Sequence, residues 1–440
     1  MVVFSGLGFL FRFLPVFLLA YYLTPARHRH VTLFLGSVVF YASGDFQLVW
    51  LLLALVVMNF FLAGFGRTGQ ILMIILNVGA LAIAKVCALF LAGAYLPLGM
   101  SFYIFKMISF QADLMTGRIT ERPSFFQTAA YFTMFPQVTQ GPIMRYTEGA
   151  FMTERRVQIS DVDEGLTLLC MGMVLKVLLA DRIGILWNEI VKIGFESVST
   201  PLAWLGAFGY SFQLYFDFWG YSLMAAGLAM MLGFPFILNF EHPYSADGIA
   251  DFYRRWHMTL GQFFRDYVYI PLGGSREGSG RTIWNLAIVW ALTGIWHGGT
   301  VNFLIWGMAL FLLIVYEKYV AAPLMKKHRL IGHLHVWFFI PLTWVIFAIP
   351  DLKDLGIYFA RLFPFFGIGA AVNTDDIVKY GSIYWPYLAA GVFLSIARIG
   401  GLLMRYRKRL WMKLILIVLF WVAVYYSALS GGNSFMYFSF

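Results

Sequence analysis

Residues 282–316 contain no Asp, Glu, Lys or Arg. An uncharged apolar run of this length is typical of helices that cross a bilayer, each of which needs about 20 apolar residues. In the middle of the run, residues 293–299 read TGIWHGG. An ionisable side chain at bilayer depth is costly and usually faces a cavity or a partner, so His297 is the first candidate functional residue. Its flanking glycines would let backbone or ligand approach the imidazole closely.

The composition also indicates a membrane protein. Hydrophobic residues make up 60% of the chain and charged residues 12%, whereas soluble domains carry roughly 25% charged residues. We find no long hydrophilic stretch, and therefore expect one membrane-embedded domain over residues 1–440. Residues 1–23 read as a first span, because they lack the basic start and the cleavage site of a signal peptide. Residues 410–440 would supply the last span and an aromatic tail.

Apolar segments recur along the whole chain, and several are short or carry a charge. This pattern predicts an all-α polytopic membrane protein with 11 or 12 transmembrane helices plus re-entrant and interfacial helices. Broken elements at membrane depth are tolerated where they line protein or water, which favours a fold with a central cavity. The segments lie at about 3–23, 31–43, 46–65, 70–96, 98–115, 125–143, 165–190, 201–220, 221–240, 283–297, 300–320, 334–350, 355–371, 382–402 and 411–430.

Three basic clusters predict the orientation. They lie at residues 27–30, 326–329 and 405–409, and the positive-inside rule places all three in the cytoplasm. Both termini are then outside, and the number of spans is even. The net charge of +10 fits this bias together with attraction to anionic lipid, and part of it could bind an anionic substrate. Nucleic-acid binding is not expected, because the charge is scattered among apolar spans.

The longest polar-rich stretch, residues 241–280, mixes aromatic and basic residues. Apolar spacing over residues 246–267 predicts one amphipathic helix at the cytosolic interface, where it could be a simple anchor. Within it, Arg254, Arg255 and Arg265 could hold the phosphates of a donor such as coenzyme A. Asp266 could instead neutralise Arg265. A histidine such as His257, which follows Arg255 and Trp256, is by itself more often a hydrogen-bonded structural residue than a catalyst, and the neighbouring arginines favour a functional role.

His297 suggests general-base chemistry. A neutral imidazole can take the proton of an alcohol or phenol as that group attacks a thioester. The alternative is a packing histidine that bonds a helix carbonyl. The G-x-S-x-G, Walker and H-E-x-x-H motifs are absent, and we expect no bound metal and no permanently bound cofactor.

The last six residues, FMYFSF, contain four aromatic rings. Such a terminus frays in water unless it packs against something. It could join an aromatic belt at the membrane interface, or it could insert into the protein's own outer funnel and place Tyr437 near the membrane interior.

Together these motifs resemble the membrane-bound O-acyltransferase (MBOAT) family, and most closely its bacterial branch that acetylates alginate, peptidoglycan and other envelope polymers. The matching stretches follow the family order over most of the chain. They are LPLGMSFYIFKMISFQAD (96–113), FPQVTQGPIMRY (135–146), FDFWGYSLMAAGLAMMLGF (216–234), NFEHPYSADGIADFYRRWHMTLGQFFRDYVYIPLGGSR (239–276) and LTGIWHGGTVNFLIWG (292–307).

The resemblance implies a ring of helices around a tunnel that joins a cytosolic donor pocket to an outer funnel, in the plasma membrane of a bacterium. It implies that His297 is the essential histidine and His257 a second essential polar residue. Tyr103, Asn239 and Trp296 would line the path. The terminal motif resembles an aromatic tail of such systems, so that Tyr437 could carry the acyl group as an activated phenyl ester.

The predicted function is transfer of acetyl from cytosolic acetyl-CoA for O-acetylation of a polysaccharide. A periplasmic or extracellular acetyltransferase of the serine-esterase (SGNH) type would be the partner. A related branch moves D-alanine from a carrier protein to teichoic acids and is the first alternative. A proton-coupled transporter using His257 and His297 is a second, although the chain lacks the repeats usual in transporters. A non-catalytic scaffold for polymer export is a third.

Overall fold

The computed structural model describes residues 4–91, 95–138, 141–149, 156–366 and 375–429. The chain is 81% helical, and the described residues contain no strand. The prediction of an all-α polytopic membrane protein is confirmed. Tyr437 and the rest of the terminal hexapeptide lie outside the described residues.

The α-helices in chain order are α1 (Leu14–Leu23), α2 (Arg29–Gly44), α3 (Val49–Ala63), α4 (Gly66–Phe90), α5 (Met100–Met115), α6 (Phe125–Thr133), α7 (Phe135–Val138), α8 (Ile159–Val174), α9 (Asp181–Ile193), α10 (Thr200–Met231), α11 (Ile249–Arg255), α12 (Met258–Phe264), α13 (Gly278–His297), α14 (Val301–Tyr316), α15 (Ala322–Lys327), α16 (Arg329–Ala348), α17 (Leu352–Leu362), α18 (Asp376–Ser395), α19 (Ala397–Tyr406) and α20 (Leu410–Leu429).

Within the described residues, eight short segments of other helix types join or extend these helices. Four are π-helical: Phe9–Phe13, Leu175–Ala180, Arg265–Tyr269 and Glu317–Ala321. Four are 3₁₀ turns: Ala26–His28, Phe195–Ser197, Pro243–Ser245 and Pro364–Phe366. Turns of π-helix often occur at functional sites, and Arg265–Tyr269 contains one of the candidate arginines.

Four helical stretches of the described chain are long and apolar enough to cross a membrane: α4, residues 301–327, α16 and α20. A fifth is counted if α18 and α19, which meet at 81°, form one broken span. Several other helices are shorter than about 20 residues, the length that spans the hydrocarbon core. The figure of 11 or 12 spans therefore stays a prediction, whereas broken and short elements are a feature of the fold.

The long helix α10 packs against α8 along a seam of glycines. A Cβ atom added to Gly165 would lie 2.5 Å from the carbonyl oxygen of Gly227, and one added to Gly220 would lie 2.7 Å from that of Gly172. Membrane helices that lack a hydrophobic driving force associate through close backbone packing at small residues. The seven-residue spacing on both helices thus produces one antiparallel contact surface.

The seam brings buried charges together. Lys176, in the π-helical segment after α8, lies 2.5 Å from Asp181 and 2.8 Å from Asp217 of α10. The side chains of Lys176 and Asp217 are each 2% exposed. Buried charges are tolerated when they are paired and hydrogen-bonded, so this ion pair fixes the register between α10 and the helix that begins at Ile159.

Buried amides tie the N-terminal helices together. Asn59 of α3 and Asn77 of α4 exchange two side-chain hydrogen bonds of 3.0 and 2.9 Å. Gln111 of α5 donates to the backbone and side-chain oxygens of Asn59, both at 3.0 Å. Amide side chains bond helices together where water is absent, and here they hold α3, α4 and α5 in register.

One sequence-based prediction was wrong. The amphipathic helix expected over residues 246–267 is instead two short helices, α11 and α12, followed by the π-helical segment Arg265–Tyr269. The break falls at His257, whose φ of 44° lies in the left-handed region. A non-glycine residue in that region is uncommon, and such residues cluster at functional sites.

The glycine seam leads to the first prediction. Gly172→Ala should destabilise the protein by about 1–3 kcal/mol, the usual range for overpacking a tight contact, because the added methyl group meets the backbone of Gly220. Gly79→Ala in α4 is the matched control, since nothing lies within 4 Å of its added Cβ. The thermal unfolding midpoints of both variants in one detergent would be compared with the parent protein. Equal midpoints for the two variants would contradict the role of the seam.

Candidate active site

His257 lies at the turn between α11 and α12, and is 2% exposed. The ring of Phe218 from α10 meets it edge-on at 4.7 Å, and the ring of Phe102 from α5 lies nearly parallel to it at 6.5 Å. Its Nδ1 atom lies 3.1 Å from Oδ1 of Asn239. The left-handed turn, the two rings and this amide fix the direction of the imidazole.

His297 is the last residue of α13, and is 7% exposed. Three aromatic rings surround it: Trp296 at 4.6 Å, Trp306 of α14 at 5.0 Å and Phe347 of α16 at 5.1 Å. The chain then turns at residues 298–300 and returns as α14. His297 therefore lies at the tip of a helical hairpin inside an aromatic cage.

The glycines around His297 allow this close packing. A Cβ on Gly294 would lie 2.5 Å from the carbonyl oxygen of Phe303 in α14, and one on Gly298 would overlap the ring of Phe303. The sequence suggested that these glycines let backbone approach the imidazole. The structure shows the backbone of α14 close to Gly294 and the ring of Phe303 close to Gly298, whereas the imidazole itself is surrounded by aromatic rings.

One cavity of about 460 Å³ joins the two histidines. Its lining includes His257, His297, Thr293 and the tryptophans Trp256, Trp290 and Trp306. Arg254 and Arg265 also line it, and their side chains are 72% and 59% exposed. The cavity thus runs from two solvent-exposed guanidinium groups to two buried imidazoles, a combination of apolar walls and few polar groups that is common in ligand sites.

The three predicted arginines differ in position and in ion-pair partners. Arg254 and Arg265 lie on the cavity, whereas Arg255 is not part of its lining and pairs with Asp251 at 2.8 Å. Arg254 makes a longer contact of 3.4 Å with the same carboxylate. Arg255 therefore stabilises α11 through an i, i+4 pair, which leaves Arg254 and Arg265 as the candidate anion ligands.

Asp266 neutralises part of the charge of Arg265, as the sequence allowed. Arg265 Nε lies 2.6 Å from Asp266 Oδ1, and Arg145 pairs with the other carboxylate oxygen. Burial raises the pKa of the Asp266 carboxyl, but the hydrogen bonds from Arg265 and Arg145 outweigh burial and hold that pKa below its ordinary value. The pairing fixes the segment Arg265–Tyr269 at the edge of the cavity.

A lysine that sequence analysis did not single out holds the end of α13. Lys85 of α4 donates a hydrogen bond to the backbone carbonyl of Trp296, the residue before His297. The last carbonyls of a helix carry its partial negative charge, and a cation there is favourable. Lys85 therefore anchors the tip of the hairpin to the C-terminal half of α4.

Three other predicted site residues, Tyr103, Asn239 and Trp296, are not part of the cavity lining. Tyr103 is fully buried beside Tyr41, with ring centroids 6.4 Å apart. Trp296 stacks on Phe105 at 5.5 Å. Asn239 lies behind His257, and Tyr437 is outside the described residues. Among the described residues, no group of three or more His, Cys, Asp or Glu side chains is arranged to hold a metal ion.

Comparison with known proteins shows the family of the chain. The model of the membrane-bound O-acyltransferase family matches residues 37–349, a range that contains both histidines and the cavity. A protein of Pseudomonas fluorescens named as a probable alginate O-acetylase is 34% identical over 380 residues, which cover 83% of this chain and 76% of that protein.

Two further relatives are named for other polymers. A peptidoglycan O-acetyltransferase of Helicobacter pylori is 30% identical over 413 residues, covering 79% of this chain and 77% of the relative. A teichoic acid D-alanyltransferase of Bacillus subtilis is 26% identical over 225 residues, covering 48% and 56%. The chain belongs to the membrane-bound O-acyltransferase family and is a multi-pass membrane acyltransferase.

Proposed function

We propose that the protein transfers acetyl from cytosolic acetyl-CoA to a hydroxyl group, for O-acetylation of an envelope polysaccharide or exopolysaccharide such as alginate or peptidoglycan. The observation that carries this proposal is the cavity that leads from Arg254 and Arg265 to His257 and His297. Relatives named for alginate and peptidoglycan O-acetylation support the acetyl donor and the polysaccharide acceptor. The membrane would be the plasma membrane of a bacterium.

The donor would bind with its phosphates at the exposed mouth. Guanidinium groups bind phosphate oxygens through paired charged hydrogen bonds, and Arg254 and Arg265 are the arginines of the cavity lining. The apolar walls between Tyr253 and Trp290 suit the uncharged arm of coenzyme A. The thioester would then lie deep in the cavity, near the histidines.

His297 would act as the general base. It takes the proton of the attacking hydroxyl as the new C–O bond forms at the thioester carbonyl, and it returns that proton to the sulfur as the C–S bond breaks. No further reactant is needed. The aromatic cage of Trp296, Trp306 and Phe347 excludes water, which would otherwise hydrolyse the thioester.

The attacking hydroxyl would be the phenol of Tyr437, in the relay form of the proposal. A phenyl ester remains activated relative to an alkyl ester, because phenol has a pKa near 10. A serine-esterase-type acetyltransferase outside the membrane would then move the acetyl group to the polymer. The helix before the tail ends beside the N-terminus, where Ser427 donates a hydrogen bond of 2.9 Å to the carbonyl of Ser5.

The alternatives have less support. D-alanyl transfer rests on relatives of 26% identity that match about half of this chain. A proton-coupled transporter could use the same two histidines, but the family match and the named O-acetyltransferases favour an enzyme.

The donor site gives the second prediction. Arg254→Gln and Arg265→Gln should each raise KM for acetyl-CoA about 10- to 150-fold with a smaller change in kcat, because one charge-assisted hydrogen bond contributes roughly 1.5–3 kcal/mol. Arg255→Gln is the matched comparison, since Arg255 bonds Asp251 outside the cavity lining. Initial rates of acetyl transfer by protein in nanodiscs would be measured against acetyl-CoA concentration. If Arg255→Gln raises KM as much as the other two, phosphates do not bind where we propose.

A further inference from the structure

A hydrogen-bond network behind His257 determines how Asn239 is oriented. The backbone N–H of Thr259 points at one side-chain atom of Asn239 from 3.3 Å. A backbone N–H is only a donor, so that atom must be the carbonyl oxygen Oδ1. The amide nitrogen then donates to Oγ of Ser222 at 2.9 Å. The backbone N–H of Thr259 can only donate, so it determines which side-chain atom of Asn239 is the oxygen.

The hydroxyl of Thr259 strengthens this assignment. Its Oγ1 accepts the backbone N–H of Ile143 at 2.9 Å, and it lies 2.9 Å from Oδ1 of Asn239. A hydroxyl carries one hydrogen, and here that hydrogen is directed to Asn239. The carbonyl oxygen of Asn239 is therefore an acceptor held by two donors from one residue.

The tautomer of His257 follows. Its Nδ1 lies 3.1 Å from the same Oδ1 and must donate. A neutral imidazole has one N–H, so the hydrogen is on Nδ1 and Nε2 carries a lone pair. Nε2 is buried and has no hydrogen-bond partner within the described part of the chain, while His257 lines the cavity. A buried polar atom without a partner is costly, and a ligand in the cavity can satisfy it if that ligand supplies a donor.

The chemistry of the donor substrate limits what Nε2 can bind. The carbonyl oxygen and the sulfur of a thioester are acceptors, so an obligate acceptor cannot bond them. Nor does proton transfer call for a second base, because His297 both takes the proton and returns it. The hydrogen donors of an acyl-CoA nearest its thioester are the amide N–H groups of the pantetheine arm.

We infer that Nε2 of His257 binds an amide N–H of the donor's pantetheine arm, and that Asn239 and Thr259 are positioning residues that hold His257 in the accepting tautomer. This inference rests on the proposed function, since it requires a thioester donor in the cavity. It adds a specificity element to the site. Thioesters with an amide two carbons from the sulfur are preferred to those without one.

Two small thioester donors that differ only in that N–H group measure its contribution. S-acetyl-N-acetylcysteamine carries the N–H, and the thioester in which an ester oxygen replaces the NH group does not. We expect kcat/KM for the amide donor to exceed that for the ester donor roughly tenfold, the value of one hydrogen bond of about 1.4 kcal/mol. The ratio is measured within one protein preparation, so it does not depend on the folded fraction.

Variants at position 239 test the positioning role. Asn239→Leu removes the acceptor and should reduce the ratio to about one. Asn239→Asp keeps an acceptor oxygen and should restore the preference lost in Asn239→Leu. If Asn239→Leu does not fold, Thr259→Val, which deletes one of the two bonds that hold Oδ1, should give an intermediate ratio. Thr133→Val is the matched control, because its buried hydroxyl bonds a helix carbonyl elsewhere.

Nitrogen-15 NMR of histidine-labelled protein separates this inference from the proposed function. The chain has 8 histidines, and a His257→Gln sample identifies the signal. We expect a protonated Nδ1, an unprotonated Nε2, and a shift of Nε2 when the amide donor binds but not when the ester donor binds, even in a protein that transfers nothing. A proton on Nε2, or equal kcat/KM for both donors in a protein that does transfer acetyl, would overturn the inference.

Discussion

Replacing His297 by alanine is expected to lower kcat for acetyl transfer about 10²–10⁴-fold, the range that positioned general acid–base groups contribute. The imidazole lies at the inner end of the cavity, inside a cage of three rings. KM for acetyl-CoA should change little, because the proposed phosphate ligands lie at the other end of the cavity. The measurement is the steady-state rate of acetyl transfer by the purified protein in nanodiscs.

His335→Ala is the matched control for this prediction. His335 is a half-buried histidine of a membrane helix, packed on Phe339 at 4.7 Å, and it is not part of the cavity lining. It should keep close to full activity. Equal losses in the two variants would mean that His297 acts through helix packing, and full activity in His297→Ala would exclude it as the base.

Lys176→Met is expected to have the largest effect on stability. Lys176 is the cation between Asp181 and Asp217, so methionine would leave two carboxylates without it inside the protein. Removing one partner of a buried ion pair costs about 3–5 kcal/mol. We expect a large fall in the thermal unfolding midpoint and in the yield of monodisperse protein.

The control for Lys176→Met is the same substitution at an exposed lysine. Lys192→Met removes a cation that is 72% exposed and pairs with Glu189, and exposed pairs contribute about 0–1 kcal/mol. Its unfolding midpoint should match that of the parent protein. A Lys176→Met protein as stable as Lys192→Met would show that the buried ion pair does not hold α10 in register.

The helical class and the choice of His297 as a candidate could be predicted because both depend on local sequence, whereas His257 became a candidate through the family resemblance. Uncharged apolar runs indicate membrane helices whatever surrounds them, and a histidine inside such a run, as at His297, is conspicuous. The resemblance added the family, which the comparisons confirm. What the local pattern could not provide was the partner of each polar group.

His257 shows why the rest could not be predicted. The spacing of apolar residues over 246–267 favours one helix, and the sequence has no glycine or proline at the break. The left-handed turn is held by tertiary contacts, since the backbone N–H after His257 donates to the carbonyl of Asn239 at 2.9 Å. Propensity is a weak predictor where such contacts compete with it.

The arginines and Lys85 also show that the partner of a charged side chain depends on the tertiary structure. Arg254 and Arg255 are neighbours in sequence, yet only Arg254 lines the cavity, because adjacent residues on a helix face different directions. Lys85 contacts the carbonyl of Trp296, which is 211 positions away. Its position in the apolar helix α4 was the available signal, since a lysine there needs a partner.

The most direct test of the account is peptide mass spectrometry of the purified protein after incubation with acetyl-CoA, beside His297→Ala and Tyr437→Phe. We predict an acetyl group on the C-terminal peptide of the parent protein, and none on that peptide in either variant. An acetylated C-terminal peptide in His297→Ala, at the level of the parent protein, would contradict the claim that His297 activates the acceptor.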